Sequence, residues 1–226
     1  MFDIPLRSLK DSLFLPVASA IPHSITPTHL TFIAFLLGSL SSLCCAFNIS
    51  TTASVALWLI SRLLDCLDGA VARQRNVASD LGGFWDLLGD FVVYASIPIS
   101  CAMSRAHATA TDARADLLAV SLLEAAFFVN NFALFYMAAV AEKAAAEERS
   151  GSSREGKRKT EQLTSLMMRP ALIEGAESAA FFTLMLVFPE RVRLISYIMF
   201  LGVVVGTGQR AVWFASVFED QKEKTK

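Results

Sequence analysis

The stretch that decides both the fold and the chemistry reads Asp65-Cys66-Leu67-Asp68-Gly69-Ala70-Val71-Ala72-Arg73, and it continues to Gly82, Asp86 and Asp90. Its four carboxylates lie inside or beside long apolar runs, where a charged side chain is costly and usually marks a functional site. On a helix, residues three or four positions apart share a face. Asp65 therefore pairs with Asp68, and Asp86 pairs with Asp90.

The two acidic pairs predict a metal site if their helices pack together. Four converging carboxylates repel one another strongly unless cations neutralise them. All the ligands are hard oxygen atoms, so the expected ions are Mg²⁺ or Mn²⁺. We therefore predict metal ligands at Asp65, Asp68, Asp86 and Asp90.

The composition surrounding this stretch is that of a membrane protein. Of the 226 residues, 54% are hydrophobic and only 18% are charged, and the mean hydropathy is +0.49. A soluble domain of this length carries more charge. The net charge is −1, and no basic stripe with interleaved aromatic residues is present, so we expect no nucleic-acid partner.

The apolar runs predict an all-α, polytopic protein with six transmembrane helices in a single membrane domain, residues 1–226. Thr26 and Pro27 provide an N-cap and a first helical residue for the first span. Pro98 predicts a kink in the third span. The predicted spans are 30–47, 53–73, 82–103, 117–141, 171–188 and 194–217.

Two segments are expected to lie outside the spans. Residues 1–17 predict an interfacial helix, amphipathic over residues 3–14 and broken by Pro16 and Pro22. Residues 142–170 predict a cytosolic basic loop whose first part extends the fourth helix. The distribution of Lys and Arg places both termini in the cytosol, which puts the acidic stretch near the cytosolic leaflet.

Other residues within the apolar runs have plainer roles. The cysteines at 44, 45, 66 and 101 lack metal-ligand spacing and are expected to be small core or lipid-facing residues. Glu124, Asn130 and Asn131 are expected to form hydrogen bonds between helices.

Acidic residues holding two divalent ions at a membrane surface suit phosphoryl transfer. Gly69, Ala72 and Gly82 keep the site open, and Arg73 offers a forked donor to phosphate. Asp90 lies one turn deeper than Asp86, where it is placed to act as a base while the other carboxylates hold metal.

These residues fill the pattern D-x2-D-G-x2-A-R-x8-G-x3-D-x3-D at every fixed position, and the stretch resembles the signature of the CDP-alcohol phosphotransferase family. The eight fixed positions make the resemblance specific. Residues 62–98, together with Glu174-Gly175-Ala176-Glu177, are most similar to a less characterised bacterial-type branch of the family.

The resemblance implies a phosphatidyltransferase of phospholipid synthesis. It implies that CDP-diacylglycerol is the donor. It also implies that Asp65, Asp68 and Asp86 are the core ligands of a dinuclear Mg²⁺ or Mn²⁺ site, and that Asp90 is an additional ligand and the general base. The base would deprotonate an acceptor hydroxyl, which attacks the lipid-linked β-phosphorus and expels CMP. The resemblance further implies a homodimer and a CDP site formed by Gly69, Ala72, Arg73 and Gly82.

The sequence leaves the acceptor open among glycerol-3-phosphate, inositol, inositol phosphate and serine. Candidate acceptor contacts are Glu174, Glu177 and Arg210, although Arg210 can equally pair with either glutamate, because an unpaired buried charge is costly.

Two other functions compete with this interpretation. A CDP-amino-alcohol phosphotransferase acting on diacylglycerol usually has more spans than this chain. A non-catalytic, cation-binding membrane protein does not require Gly69, Ala72, Arg73 and Gly82 at these intervals.

Overall fold

The computed structural model describes residues 14–105, 109–149 and 175–224, and these ranges are helical without any strand. Residues 14–20 form a short helix, and Pro189–Arg191 forms a 3₁₀ turn. The prediction of an all-α fold is confirmed. The longer helices are α1 Pro27–Ala46, α2 Thr51–Gln74, α3 Asp80–Ser104, α4 Ala110–Arg149, α5 Gly175–Val187 and α6 Val192–Lys224.

Four stretches in the described ranges are long and apolar enough to cross a membrane: α1, α3, Ala110–Ala146 of α4, and Pro189–Ser216. The helix α5 is apolar but spans only 13 residues. The helix α2, which carries Arg62, Asp65 and Asp68, is not among the four. The polytopic architecture is therefore confirmed, whereas the number of six spans stays a prediction.

The start of α1 follows the prediction from local sequence. The Thr26 side chain accepts a hydrogen bond from the backbone N–H of His29, the His29 ring accepts one from the backbone of Thr26, and Pro27 is the first helical residue. The side chains of Ser50 and Ser79 cap α2 and α3 by accepting hydrogen bonds from the backbone N–H groups of Ala53 and Gly82. Such caps satisfy backbone donors that have no partner inside the helix.

The helix α1 packs against both α2 and α3, and small residues allow the close approach. A Cβ atom added at Gly38 would lie 2.8 Å from Cγ1 of Val93 on α3. The Ser61 hydroxyl on α2 donates to the Ala34 carbonyl at 2.7 Å. Small side chains with hydroxyl-to-carbonyl bonds are the usual means by which membrane helices pack closely.

The C-terminal parts of α1 and α3 are joined by contacts between serine hydroxyls and between cysteine sulfur atoms. The hydroxyls of Ser42 and Ser96 lie 2.7 Å apart, and the sulfur atoms of Cys45 and Cys101 lie 3.6 Å apart. Both of these cysteines are buried, as expected for core residues, whereas Cys44 and Cys66 are only partly buried.

The helix of the fourth predicted span begins earlier than the span itself, because α4 begins at Ala110 rather than near residue 117. Thr109 caps the helix by accepting a hydrogen bond from the backbone N–H of Asp112 at 3.2 Å. Asp116 is buried and receives a bond of 2.8 Å from each of two arginines, Arg105 and Arg193. Because these charged residues pair with one another, the segment can be helical where a loop was expected.

Other boundaries also differ from the prediction. The helix α6 extends from Val192 to Lys224, beyond both predicted ends. Residues 142–149 continue α4, as predicted for the first part of the basic loop. Pro16 lies within helical residues 14–20, since proline keeps a helical φ and removes only one backbone donor. Residues 1–13 of the interfacial helix and residues 150–170 of the basic loop lie outside the described residues.

The chain divides into two compact units. One comprises residues 2–121 and 176–197, and it holds α1, α2 and α3. The other is formed by residues 122–175 and 198–226, together with Met1. The prediction of a single domain stays a prediction.

In the second unit, Asn130 on α4 accepts hydrogen bonds from Thr207 and Arg210 on α6, at 3.1 and 2.7 Å. The predicted bonding between helices is thus confirmed for Asn130. One oxygen of Glu124 is buried without a hydrogen-bond partner in the described part of the chain.

Candidate active site

Two helices supply the four aspartates of the motif. Asp65 and Asp68 lie near the end of α2, and Asp86 and Asp90 lie in the first half of α3. The connection between the helices is only five residues long, from Arg75 to Ser79, and it includes Asn76 in the left-handed conformation with a φ of 55°. Asparagine adopts this conformation more readily than most residues, so the chain turns at once and returns the second pair toward the first.

The four carboxylates lie within electrostatic range of one another. Asp65 interacts electrostatically with each of the other three, and Asp68 interacts with both aspartates of α3. The i, i+3 and i, i+4 spacings therefore place both acidic faces toward one another, as the sequence indicates.

Each carboxylate is held differently. Asp68 is buried and accepts a hydrogen bond of 2.5 Å from the Thr31 hydroxyl on α1. Asp90 accepts a hydrogen bond of 2.6 Å from the Arg62 guanidinium. Asp86 has one oxygen, Oδ1, that is buried without a hydrogen-bond partner among the described residues.

These observations test whether the residues suit a divalent cation. In the part of the chain that is described, no three Asp, Glu, His or Cys side chains are already arranged around one ion position. The donors are nevertheless hard oxygens in mutual electrostatic contact, and the buried oxygen of Asp86 lacks a partner. Such an oxygen is costly to bury alone, so the donor set fits Mg²⁺ or Mn²⁺.

A cavity of about 780 Å³ lies beside the carboxylates. Asp68 and Asp86 line it, whereas Asp65 and Asp90 are not among its lining residues. The four residues predicted to bind CDP all line it as well: Gly69, Ala72, Arg73 and Gly82. Pockets for small ligands commonly occupy about 300–1,000 Å³, so the volume suits a nucleotide-sized group.

Arg73 lies directly over Gly69. A Cβ atom added at Gly69 would be 3.1 Å from the Nη1 atom of Arg73. The glycine therefore leaves room for the arginine to lie along the cavity wall. A guanidinium in this position presents a forked donor that matches phosphate oxygens.

A second arginine fixes another part of the cavity lining. Arg75, which follows α2, donates to the backbone carbonyls of Ile21 and Ile25 at 2.8 and 2.7 Å. These bonds tie the segment that precedes α1 to the end of α2. Thr26 and Thr31 of this region also line the cavity.

The structure describes two of the three candidate acceptor residues. Glu174 lies outside the described residues. Glu177 is half-buried in the first turn of α5. Arg210, which belongs to the second compact unit, is buried and donates to Asn130 at 2.7 Å. The acceptor role of all three stays a prediction.

Sequence reasoning missed Arg62, whose guanidinium contacts both Asp65 and Asp90. A signal was available, because an arginine inside an apolar run and one turn from an aspartate needs a charged partner.

A family model of CDP-alcohol phosphatidyltransferases matches residues 24–208 of the chain, a range that includes the four aspartates, Arg62 and the predicted CDP-binding residues. The chain belongs to this family. With its apolar helices, it is an integral, multi-pass membrane protein of a phosphotransferase family. Members of the CDP-alcohol phosphatidyltransferase family are generally dependent on divalent metal ions.

Three relatives are similar over shorter stretches. "Inner membrane protein YnjF" of Escherichia coli (strain K12) is 45% identical over 74 residues, which are 33% of this chain and 35% of the relative. A "Bifunctional IPC transferase and DIPP synthase" of Thermococcus kodakarensis is 32% identical over 84 residues, 37% of this chain and 19% of the relative. The protein of the same name from Archaeoglobus fulgidus is 31% identical over 84 residues, 37% of this chain and 17% of the relative.

These matches span about a third or less of each relative's length. The shared family therefore defines the class of enzyme, and the particular substrates of this chain are matters for proposal.

Proposed function

We propose that this protein transfers a phosphatidyl group from CDP-diacylglycerol to a small alcohol and releases CMP. The observation that carries the proposal is the position of the motif: its glycines, its arginine and two of its aspartates line one cavity of about 780 Å³. Membership of the CDP-alcohol phosphatidyltransferase family supports the same class of reaction.

The cavity wall is suited to the CDP group of the donor. Arg73 would bind the pyrophosphate through its fork of donors. Gly69, Ala72 and Gly82 would let the nucleotide lie close to the backbone. Leu81 and Phe84, which flank Gly82 and Gly83, are exposed and apolar, so the lipid chains would extend into the bilayer beside α3.

Asp65, Asp68 and Asp86 would hold the divalent cations, and Asp90 would complete the acidic shell. Bound Mg²⁺ or Mn²⁺ would neutralise phosphate oxygens and the charge that develops during transfer. The Thr31 hydroxyl fixes the orientation of the Asp68 carboxylate toward this site. Such outer hydrogen bonds orient metal ligands and tune their affinity.

Asp90 would act as the general base. It would accept the proton of the acceptor hydroxyl while the hydroxyl oxygen forms a bond to the β-phosphorus of the donor. The bond between that phosphorus and the bridging oxygen breaks, and the electron pair leaves with CMP. The products are the phosphatidyl alcohol, CMP and a proton, which Asp90 returns to solvent.

The acceptor belongs to a class of small polar alcohols that includes glycerol-3-phosphate, inositol, inositol phosphate and serine. We propose Glu174, Glu177 and Arg210 as candidate contacts to its hydroxyl or phosphate groups. We also propose that the site faces the cytosolic leaflet and that the enzyme is a homodimer. The names of the two archaeal relatives assign those proteins an IPC transferase activity, which makes inositol phosphate a first acceptor to test.

The test is CMP release by the purified protein in detergent with CDP-diacylglycerol and Mg²⁺ or Mn²⁺. Acceptors are added one at a time, and the Asp90→Asn protein serves as the inactive reference. Release with one acceptor, lost in Asp90→Asn, supports the proposal and identifies the acceptor.

Two negative results have different meanings. Binding of CDP-diacylglycerol without CMP release would indicate an acceptor outside the panel. A failure to bind CDP-diacylglycerol would contradict the proposal, and CDP-amino-alcohol donors with diacylglycerol would then be tested.

A further inference from the structure

Arg62 lies in the interior of α2, one turn before Asp65, and its side chain is only 13% exposed. Its Nη1 atom donates to Oδ1 of Asp90 at 2.6 Å and lies 3.5 Å from Oδ2 of Asp65. A single guanidinium therefore contacts one carboxylate from each of the two acidic helices.

Aromatic rings hold the guanidinium in place. The Cζ atom of Arg62 lies 4.8 Å from the centroid of the Trp58 ring and 5.2 Å from that of Tyr94. The Tyr94 hydroxyl also accepts a hydrogen bond from Nη1 at 3.2 Å. Cations within about 6 Å of an aromatic ring face are attracted to it, and more strongly where water is excluded.

The rings are themselves fixed by α5. The indole of Trp58 is fully buried and donates to the Thr183 hydroxyl at 2.8 Å. Phe182 packs against Trp58 and Tyr94, with ring centroids 6.1 and 5.1 Å away. The position of Arg62 is thus determined by three helices, which leaves its guanidinium little freedom relative to Asp90.

This arrangement holds Asp90 more tightly than Asp65, since Nη1 of Arg62 lies 2.6 Å from Asp90 and 3.5 Å from Asp65. One of the two carboxylate oxygens of Asp90 is bonded to a fixed cation, and a positive charge at that end disfavours a second cation beside it. Asp68 is held instead by the Thr31 hydroxyl, and Oδ1 of Asp86 is buried without a hydrogen-bond partner among the described residues.

We propose that Arg62 is a positioning residue that holds Asp90 as the proton acceptor and keeps divalent cations on Asp65, Asp68 and Asp86. The inference rests on the proposed function. It assigns proton acceptance and cation binding to different carboxylates. The aromatic cage of Trp58, Tyr94 and Phe182 keeps Arg62 in the position that maintains this division.

The test compares Arg62→Gln and Arg62→Lys with the wild-type protein in two separate measurements. Mn²⁺ binding, followed by electron paramagnetic resonance without substrate, reports on the cations alone. Steady-state CMP release reports kcat and the KM for CDP-diacylglycerol. The first measurement does not depend on turnover.

For Arg62→Gln we expect kcat to fall about 100-fold, because Asp90 loses the contact that orients it for proton transfer. The KM for the donor should change by less than about threefold, since Arg62 is not in the CDP cavity. Mn²⁺ should bind about fivefold more tightly, because a nearby positive charge has been removed. Arg62→Lys retains the charge and should keep wild-type Mn²⁺ affinity with partly recovered kcat.

Arg105→Gln is the matched control. It also removes an arginine bonded to a carboxylate, here the buried Asp116 at 2.8 Å, outside the acidic cluster. We expect this variant to lower thermal stability while it leaves kcat and Mn²⁺ affinity unchanged. A purely structural role for Arg62 would produce the same pattern as this control.

Three results would overturn the inference: unchanged kcat in Arg62→Gln, weaker Mn²⁺ binding in that variant, or unchanged Mn²⁺ binding. Weaker binding would mean that Arg62 supports the metal ligands themselves. If the wild-type protein neither binds CDP-diacylglycerol nor releases CMP, the proposed function fails, and the Mn²⁺ titration alone decides: tighter binding in Arg62→Gln supports the separation of roles.

Discussion

The hydroxyl of Thr31 on α1 donates a hydrogen bond of 2.5 Å to Oδ2 of Asp68 on α2. Asp68 is only 5% exposed, so this bond fixes a carboxylate that water scarcely reaches. The helix that supplies Thr31 also packs against α3. The orientation of one proposed metal ligand is therefore set by the helix that lies against both acidic segments.

Replacing Thr31 by Val keeps the shape of the side chain and removes its hydroxyl. We expect the affinity for Mn²⁺ to fall about tenfold, because outer hydrogen bonds to a ligand typically contribute that much. The measurement is Mn²⁺ binding to purified protein. Thr31→Ser, which keeps the hydroxyl, should bind Mn²⁺ as the wild type does, and equal affinity in the Val variant would show that the bond is dispensable.

Asp90→Asn should reduce CMP release at least about 100-fold, because the amide accepts no proton from the acceptor. Binding of Mn²⁺ and of the CDP-lipid should be retained in part. Asp68→Asn should lose Mn²⁺ binding as well as turnover. Normal turnover by Asp90→Asn would remove the assignment of this residue as the base.

Gly69→Ala should weaken donor binding without destabilising the fold. The new methyl group would meet Nη1 of Arg73 at 3.1 Å, so the guanidinium must move from its place on the cavity wall. We expect the KM for CDP-diacylglycerol to rise about fivefold. Gly208→Ala is the control, since nothing lies within 4 Å of a Cβ atom there. A similar change of KM in both variants would count against a role for Gly69 in the cavity.

Asp116→Ala tests how much the ion pairs between Asp116 and its two arginine partners contribute to stability. The carboxylate is 1% exposed and accepts bonds of 2.8 Å from Arg105 and Arg193. We expect the free energy of unfolding to fall by about 2 kcal/mol. This is less than for a fully buried ion pair, because both arginines can reach water. The readout is the thermal midpoint in detergent. Asp112→Asn, which alters a more exposed partner of Arg193, should cause a smaller shift.

Gly38→Ala should destabilise the contact between α1 and α3, since the added methyl group would lie 2.8 and 2.9 Å from the two methyl groups of Val93. We expect a cost of about 2 kcal/mol from overpacking. Val93→Ala in the same protein should restore part of the stability, so that the two effects are not additive. Strictly additive shifts of the thermal midpoint would show that the two residues do not share this contact.

The sequence predicted features that depend on near neighbours along the chain. The cap formed by Thr26 and the start of α1 at Pro27 are local, and the structure has both. That Asp65 and Asp68 share one helix face, as Asp86 and Asp90 do, also follows from helical spacing alone. Tyr94 lies four residues after Asp90 and therefore on the same face of α3.

Features that join distant parts of the chain were not predictable in this way. Near the start of α4, Asp116 is bonded to Arg193, which is 77 residues away. The bond between Trp58 and Thr183 joins residues 125 positions apart. A single sequence shows that such residues need partners, but it does not show which partners they find.

The residues that line the cavity in the described part of the chain all fall between Ala18 and Asp86. The cavity is therefore built from one continuous stretch with short closure distances, and contacts of this kind form quickly. Phe182 and Thr183, which brace the cage around Arg62, follow about a hundred residues later in the order of synthesis. During translation, the cavity can thus assemble before the ribosome has supplied the helix that braces the side chains around Arg62.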